Sequence, residues 1–447
     1  MALRRLLSRF RRDRVASRFG ATARHAPARP ETPPAEADAT SFARPTPRAA
    51  LRAALAEAFT PTRPQPGQGS LVGRGAPLSR ILSAVCEEHA HVVLYGERGR
   101  GKTSLANLVA EVAGEAGLLV ARVSCSAETG FDAMLRGLAR DLPRVLMQGL
   151  PVRGPEGGEG CEAALPPGRI EPRDALALAR GGLGRLLLIV DEFDRVTEEA
   201  TRTRLADTIK LASDTGAALS FMVVGVSDSL EQLLGRHPSI QRNVAGVPLP
   251  LLGPAEVEEI VARGARRAGL DFPPAVCAGI ARLSRGVPYM AQLLGLRAGQ
   301  AALDRHDRSV CVADLAQAVA QVVAGMDPRI GAQVDALCEG PDGPAMRALL
   351  RAIATGEQNE FGQFRAVPAT EGDWRIAGAL ATAGTWARLL ESAAVRCCTG
   401  TGSALFAFTD AMMPAHVLLR AVTERTLPEA ALADPAPLAS RDPGIGA

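Results

Sequence analysis

Apolar and polar positions along this chain change their period near residue 254. Before it, short apolar runs alternate with amphipathic stretches. HVVLYG (91–96), GLLVARVSC (117–125), RLLLIVDEFD (185–194), ALSFMVVGVSD (218–228) and GVPLPLL (246–252) are apolar runs of strand length. Between them, residues 102–115, 129–141 and 197–213 repeat apolar side chains at the spacing of one helical face. Nearly unbroken apolar strands separated by helices predict an α/β fold, with a parallel sheet covered by helices on both faces. After Pro254 the pattern is helical, with Gly and Pro punctuating 254–268, 273–284, 288–302 and 312–324.

The flanks follow other rules. Residues 1–20 place Leu3, Leu6, Leu7 and Phe10 on one helical face among arginines. Such a face suits an anionic membrane surface, a nucleic-acid arm or an organelle transit peptide, and the plainer reading is a solvated tail. Residues 26–68 are rich in Pro, Ala and Thr and read as linker, interrupted by a helical patch around 48–58. A Gly/Pro-rich stretch at 148–170 reads as a surface insertion, and 426–447 as an unfolded tail.

Composition narrows the field only slightly. The net charge of +3 over 447 residues does not imply a large nucleic-acid-binding face. Eight scattered cysteines without C-x-x-C spacing read as reduced thiols, so a cytoplasmic location is expected. No run reaches the roughly 18 apolar residues that a membrane-spanning helix needs.

One detail of composition does matter. Of 51 basic residues only Lys102 and Lys210 are lysine. Lys102 lies in YGERGRGKTS (95–104), which fits G-x-x-x-x-G-K-[ST] between a strand and a helix. Glycines at 96, 99 and 101 let the backbone turn its N–H groups toward a phosphate, and the helix adds its positive end. A compact ammonium on a flexible stem reaches the β- and γ-phosphates where a guanidinium fork would not fit. Gly96, Glu97, Arg98, Gly99, Arg100, Gly101, Lys102, Thr103 and Ser104 are therefore the candidate ATP-binding residues, with the Thr103 hydroxyl on Mg2+. At the end of the third apolar run, Asp191 is the second candidate Mg2+ ligand. Its neighbour Glu192 is the candidate general base for an attacking water.

The order of these motifs resembles that of AAA+ P-loop ATPases. It is nearer to the origin-recognition and replication-initiator branch and the STAND-like ATPases than to unfoldases. LVGRGAPLSRIL (71–82) is similar to that branch's opening box, which implies that Val72 and Arg74 lie against adenine. VVGVSDSL (223–230) resembles the sensor-1 strand, lying between the two Walker strands, with Asp228 in the asparagine position and Ser227 as the substitute. HPSIQRNV (237–244) resembles the segment of the arginine finger, here Arg242, which acts on another protomer's γ-phosphate. SRGVPYMAQLL (284–294) resembles the lid segment, with Tyr289 where many members carry a sensor-2 arginine and Arg285 or Arg297 as stand-ins.

Residues 346–364 and 376–395 read as two helices followed by a glycine turn (398–404) and a strand, an order that resembles a winged helix. Arg388 is the sole basic residue within 376–395, a poor phosphate-binding face, which favours packing or protein contacts over DNA.

The expected architecture is thus an α/β P-loop NTPase core with a helical lid and a C-terminal winged-helix-like unit. Its divisions are 1–70 (basic, Pro/Ala-rich), 71–252 (AAA+ core), 253–326 (lid), 327–425 (winged-helix-like) and 426–447 (tail). The resemblance implies Mg2+-dependent ATP hydrolysis in a switch or motor that forms a homo-oligomer in its ATP state. A DNA or protein partner would bind through the C-terminal unit or the basic N-terminus. A nucleotide-binding scaffold with little turnover is the alternative, and a phosphotransferase is less favoured because a strand-end Asp–Glu pair suits water as acceptor. GTPases are disfavoured, since neither lysine sits in an N-K-x-D motif.

Overall fold

The structure is a computed structural model that describes residues 47–63, 72–142, 161–181, 184–227, 229–234, 242–370, 372–398 and 405–426. The basic segment 1–20, Asp228, most of the glycine turn and nearly all of the C-terminal tail lie outside these residues.

Five strands form a parallel sheet: β1 (His91–Tyr95), β2 (Leu119–Ser124), β3 (Leu186–Asp191), β4 (Leu219–Gly225) and β5 (Val244–Pro248). Their order is β2-β3-β4-β1-β5, so β4 does lie between β1 and β3. Because side chains alternate across a strand, each strand feeds two cores. Val92, Leu94, Leu187, Ile189, Met222 and Val224 pack beneath α2 (Gly75–Cys86) and α3 (Lys102–Glu115). Val93, Leu188, Val190, Phe221 and Val223 pack beneath α4 (Phe131–Asp141) and α5 (Glu199–Asp214). The described end of the expected insertion, residues 161–170, corrects that reading. Cys161, Ala164, Leu165 and Ile170 are fully buried in the core under α4, where small and apolar side chains fill space that Gly/Pro content concealed.

Four helices follow, α6 (Pro254–Ala268), α7 (Pro274–Ser284), α8 (Pro288–Asp304) and α9 (Val312–Gly325). Three start with proline at the first helical position, where its missing N–H costs nothing. The helical patch expected near 48–58 is α1 (Pro47–Ala58), and it is no part of a linker. Phe59 beyond its end and Leu55 within it are buried against the lid helices. Gly264 of α6 and Gly295 of α8 leave the room: a Cβ on either would come within 2.4 Å of the Phe59 ring.

The C-terminal unit holds α10 (Pro328–Leu337), α11 (Gly343–Thr355), β6 (Phe364–Pro368), β7 (Asp373–Ile376), β8 (Ala379–Thr382), α12 (Ala383–Glu391), β9 (Val395–Cys397), β10 (Leu405–Phe408) and α13 (Met413–Thr423). Its antiparallel sheet runs β8-β7-β6-β10-β9. This corrects the expected helices 346–364 and 376–395. The first ends at Thr355, and most of the start of the second is a hairpin turning on Ala377 (φ 48°) and Gly378 (φ 92°). Two positive φ values in a two-residue loop match the twist of the flanking strands. The lid and the C-terminal unit are packed together, since Val322, Leu350 and Leu418 belong to one continuous buried cluster.

Candidate functional site

β1 delivers the chain into the loop 96–101, and α3 begins at Lys102. Gly101 turns into that helix at φ 86°, a left-handed conformation that a Cβ would strain. A Cβ on Gly96 would stand 3.0 Å from the Leu249 carbonyl, so the loop rests directly on the backbone beyond β5.

A cavity of about 420 Å3 opens over the loop. Gly99, Arg100, Gly101, Lys102, Thr103 and Ser104 form its floor, and Asp191, Glu192, Asp194 and Arg195 come from the end of β3. Val72, Arg74 and Arg98 also line it, as do Gly225 and Val226 of the β4 end. Ile260, Tyr289 and Gln292 of the lid close another side together with residues 60–63. Lys102 Nζ donates to the Gly96 and Glu97 carbonyls at 2.7 and 2.9 Å. Burial pulls its pKa down to about 8, opposed mainly by the Asp194 and Glu97 carboxylates.

The acids at the end of β3 are held in different ways. Asp191 is buried, and its Oδ1 accepts the Glu192 N–H at 2.9 Å. Glu192 sits at φ 55°, uncommon for a residue with a side chain, which turns its carboxylate toward Ser124 Oγ (3.2 Å) and Arg195 Nη1 (3.0 Å). Asp194 Oδ1 accepts the Val226 N–H at 2.8 Å and so joins β3 to the end of β4. Thr103 and Asp191 both line this cavity, a hydroxyl and a carboxylate of the hard oxygen kind that suits Mg2+. That ion takes one or two carboxylates and completes its shell with phosphates and water. Among the described residues, no group of three His, Cys, Asp or Glu forms a self-sufficient metal cage.

Residues 86–234 match the family model described as an AAA domain. Over this third of the chain the sequence is similar to AAA domains. The fold likeness reaches beyond it. A Walker-type ATPase of Pyrococcus abyssi is similar over 80% of this chain and 98% of its own, at 16% identity and a TM-score of 0.50. Weaker likenesses include the ORC1 protein of Aeropyrum pernix in complex with DNA, with 16% identity over 80% of this chain and 95% of that one (TM-score 0.40). The RuvB Holliday junction branch migration motor of Thermotoga maritima shows 19% identity over 63% and 76% (TM-score 0.36). No curated protein matches the sequence.

Several residues expected around the cavity make contacts of another kind or lie outside its lining. The guanidinium of Arg74 is buried as a brace, donating to the Pro250 and Arg100 carbonyls at 2.9 Å each, and burial lowers its pKa to about 10. Arg100 donates to the Leu249 and Phe361 carbonyls. Gly96 and Glu97 are absent from the described lining, and Glu97 pairs with Arg396 of β9 instead. Ser227 Oγ is used locally, bonded to the Ser229 carbonyl and the Gln232 side chain. Arg242 is exposed in the turn before β5, away from the cavity of its own chain. Arg285 donates to the Gly356 carbonyl and Arg297 to Gln300, so neither lid arginine faces the cavity. The motif pattern gave no warning of residues 60–63 or Gln292, and it passed over Asp194. Only Asp194, at a fixed offset in DEFD, carried a local signal.

Proposed function

We propose that this chain hydrolyses ATP to ADP and phosphate with Mg2+ and uses the cycle as a switch whose output is its C-terminal unit. One observation carries the reading. The loop that would cradle phosphates on its inner face holds the C-terminal unit on its outer face. Glu97 pairs with Arg396, the Arg100 guanidinium donates to the Phe361 carbonyl at 2.9 Å, and a Cβ on Gly99 would touch Met412 at 3.0 Å. In the proposed cycle Lys102 leaves the Gly96 and Glu97 carbonyls for the β- and γ-phosphates, which reshapes the segment that carries Glu97. Thr103 and Asp191 would hold Mg2+, which supplies charge neutralisation at the phosphates. Glu192 orients and polarises the attacking water. Arg242, exposed on its own chain, suits action on a neighbouring protomer in an ATP-state oligomer, and Asp228 keeps the sensor-1 role.

The macromolecular partner is proposed to be a protein, with DNA as the competing choice. Arg388 of α12 is spent on the Glu339 carbonyl at 2.8 Å, which leaves that helix with little charge for phosphates. A cytoplasmic setting is proposed as well, on eight cysteines scattered without C-x-x-C spacing. Among the described residues no helix is long and apolar enough to cross a membrane. A scaffold with little turnover is the second reading, favoured by Arg285 and Arg297 facing away from the cavity.

Steady-state ATP hydrolysis across a protein concentration series tests both. Turnover that rises faster than concentration, vanishes in Lys102→Ala and in Glu192→Gln, and leaves ATP trapped in the latter supports the switch. Binding of ATP without turnover would select the scaffold. Equal ATP binding by wild type and Lys102→Ala would overturn both.

A further inference from the structure

Strand β2 contributes nothing to the cavity lining, yet one of its side chains holds the acid assigned to the metal. Arg122 Nη2 stands 2.5 Å from Asp191 Oδ2. The contact follows from register. Ser124 is paired with Asp191 in the parallel ladder, and Arg122, two residues earlier, projects from the same face. Asp191 Oδ1 already accepts the Glu192 N–H, so both carboxylate oxygens are engaged, one by a full positive charge. The acid's side chain is 3% exposed and the arginine's 30%, so the pair is only partly screened.

We propose that Arg122 is a positioning residue that competes with Mg2+ for Asp191 and so makes metal entry depend on the nucleotide. A guanidinium and a divalent cation that share one buried carboxylate repel each other, and the arginine is tethered while the metal is not. The protein alone therefore holds the metal poorly. The triphosphate brings further negative charge and oxygen ligands, and only then does the balance tip toward the metal. The inference rests on the Mg2+–ATP reading of this cavity, but it concerns a pair of residues that can be tested without nucleotide.

The experiment is Mn2+ binding to the nucleotide-free full-length chain, followed by electron paramagnetic resonance, with wild type beside Arg122→Gln, Arg122→Met and Arg122→Lys. Gln and Met remove the charge, and Met keeps the apolar stem if the Gln variant fails to fold. Affinity for Mn2+ should rise by about tenfold in the neutral variants and stay near wild type in Lys, as expected for a removed like charge. A parallel Mg2+ titration of fluorescent ATP-analogue binding should show the same fall in midpoint. Unchanged or weaker Mn2+ binding in both neutral variants would overturn the proposal and leave Arg122 a structural brace. Failure of the analogue to bind at any metal concentration would sink the nucleotide reading instead. The two failures are therefore distinct.

Discussion

His91 opens β1 with its ring inside the protein, stacked on Phe221, and its Nδ1 accepts the Phe221 N–H at 3.0 Å. Burial, reinforced by Arg185, holds its pKa down at about 4, so the ring stays neutral. The unfolded chain takes up this proton near pH 6.5 and the folded one refuses it until about 4. Stability from this residue is therefore complete above about pH 6.5 and drains as the pH falls through that window, by about 2 kcal/mol at pH 5. Urea denaturation should show His91→Ala weaker than wild type by about 1–3 kcal/mol at pH 7, because the Phe221 N–H loses its acceptor. The difference should shrink at pH 5. Residues whose chemistry is local are legible in the sequence itself. Lys102, Thr103 and Asp191 announce themselves by neighbours a few positions away. Arg122 gives no such sign, because only the register of β2 against β3 brings it to Asp191. The bracing contacts of Arg74 escape the sequence for a related reason: the carbonyls its guanidinium reaches belong to Pro250 and Arg100, outside its own motif.

Among the elements, α1 shows how a short helix can be held without a long interface. Phe59 lies between Gly264 and Gly295, and Leu55 sits over Gly299, where a Cβ would meet its methyl at 2.7 Å. Removing the ring by Phe59→Ala should cost about 3–5 kcal/mol, and filling the gap by Gly295→Ala about 1–3 kcal/mol. Thermal melts of the two variants would check both figures, and a neutral Gly295→Ala would mean that Phe59 has room to move. The hairpin at 377–378 predicts the opposite sign. Ala377 holds φ 48° without a side chain suited to it, so Ala377→Asn should stabilise the unit by about 1 kcal/mol in the same melts. The pattern IAGALATAG misled because alanine favours helix and alternation over four residues is a weak signal. The lid helices were legible almost to their ends because proline starts and apolar periodicity agreed there.

Across the whole molecule, the bond between Glu97 and Arg396 joins residues 299 positions apart, beyond anything a pattern in sequence can report. It is partly buried on both sides, so removing one partner should be felt more than removing both. In a double-mutant cycle with Glu97→Gln and Arg396→Gln, a coupling of about 0.5–3 kcal/mol is expected in chemical denaturation. A coupling that disappears when an ATP analogue is added would tie the contact to the loop's occupancy, while a constant one would make it a plain structural pair. The lid and the C-terminal unit share one apolar core, so such a signal would move them together. The path of the chain adds a restriction of its own. It leaves α1, seated on the lid, at Arg63 and enters the core at Val72 only a few residues later. It crosses back to the lid at Gly253. The lid is therefore joined to the sheet by two covalent crossings rather than one. A body held by one crossing can drift as far as that crossing reaches, whereas a body held by two must satisfy both reaches at once, like a boat moored at bow and stern. Cutting the chain within 64–71 would slip one mooring and leave α1 still seated on the lid.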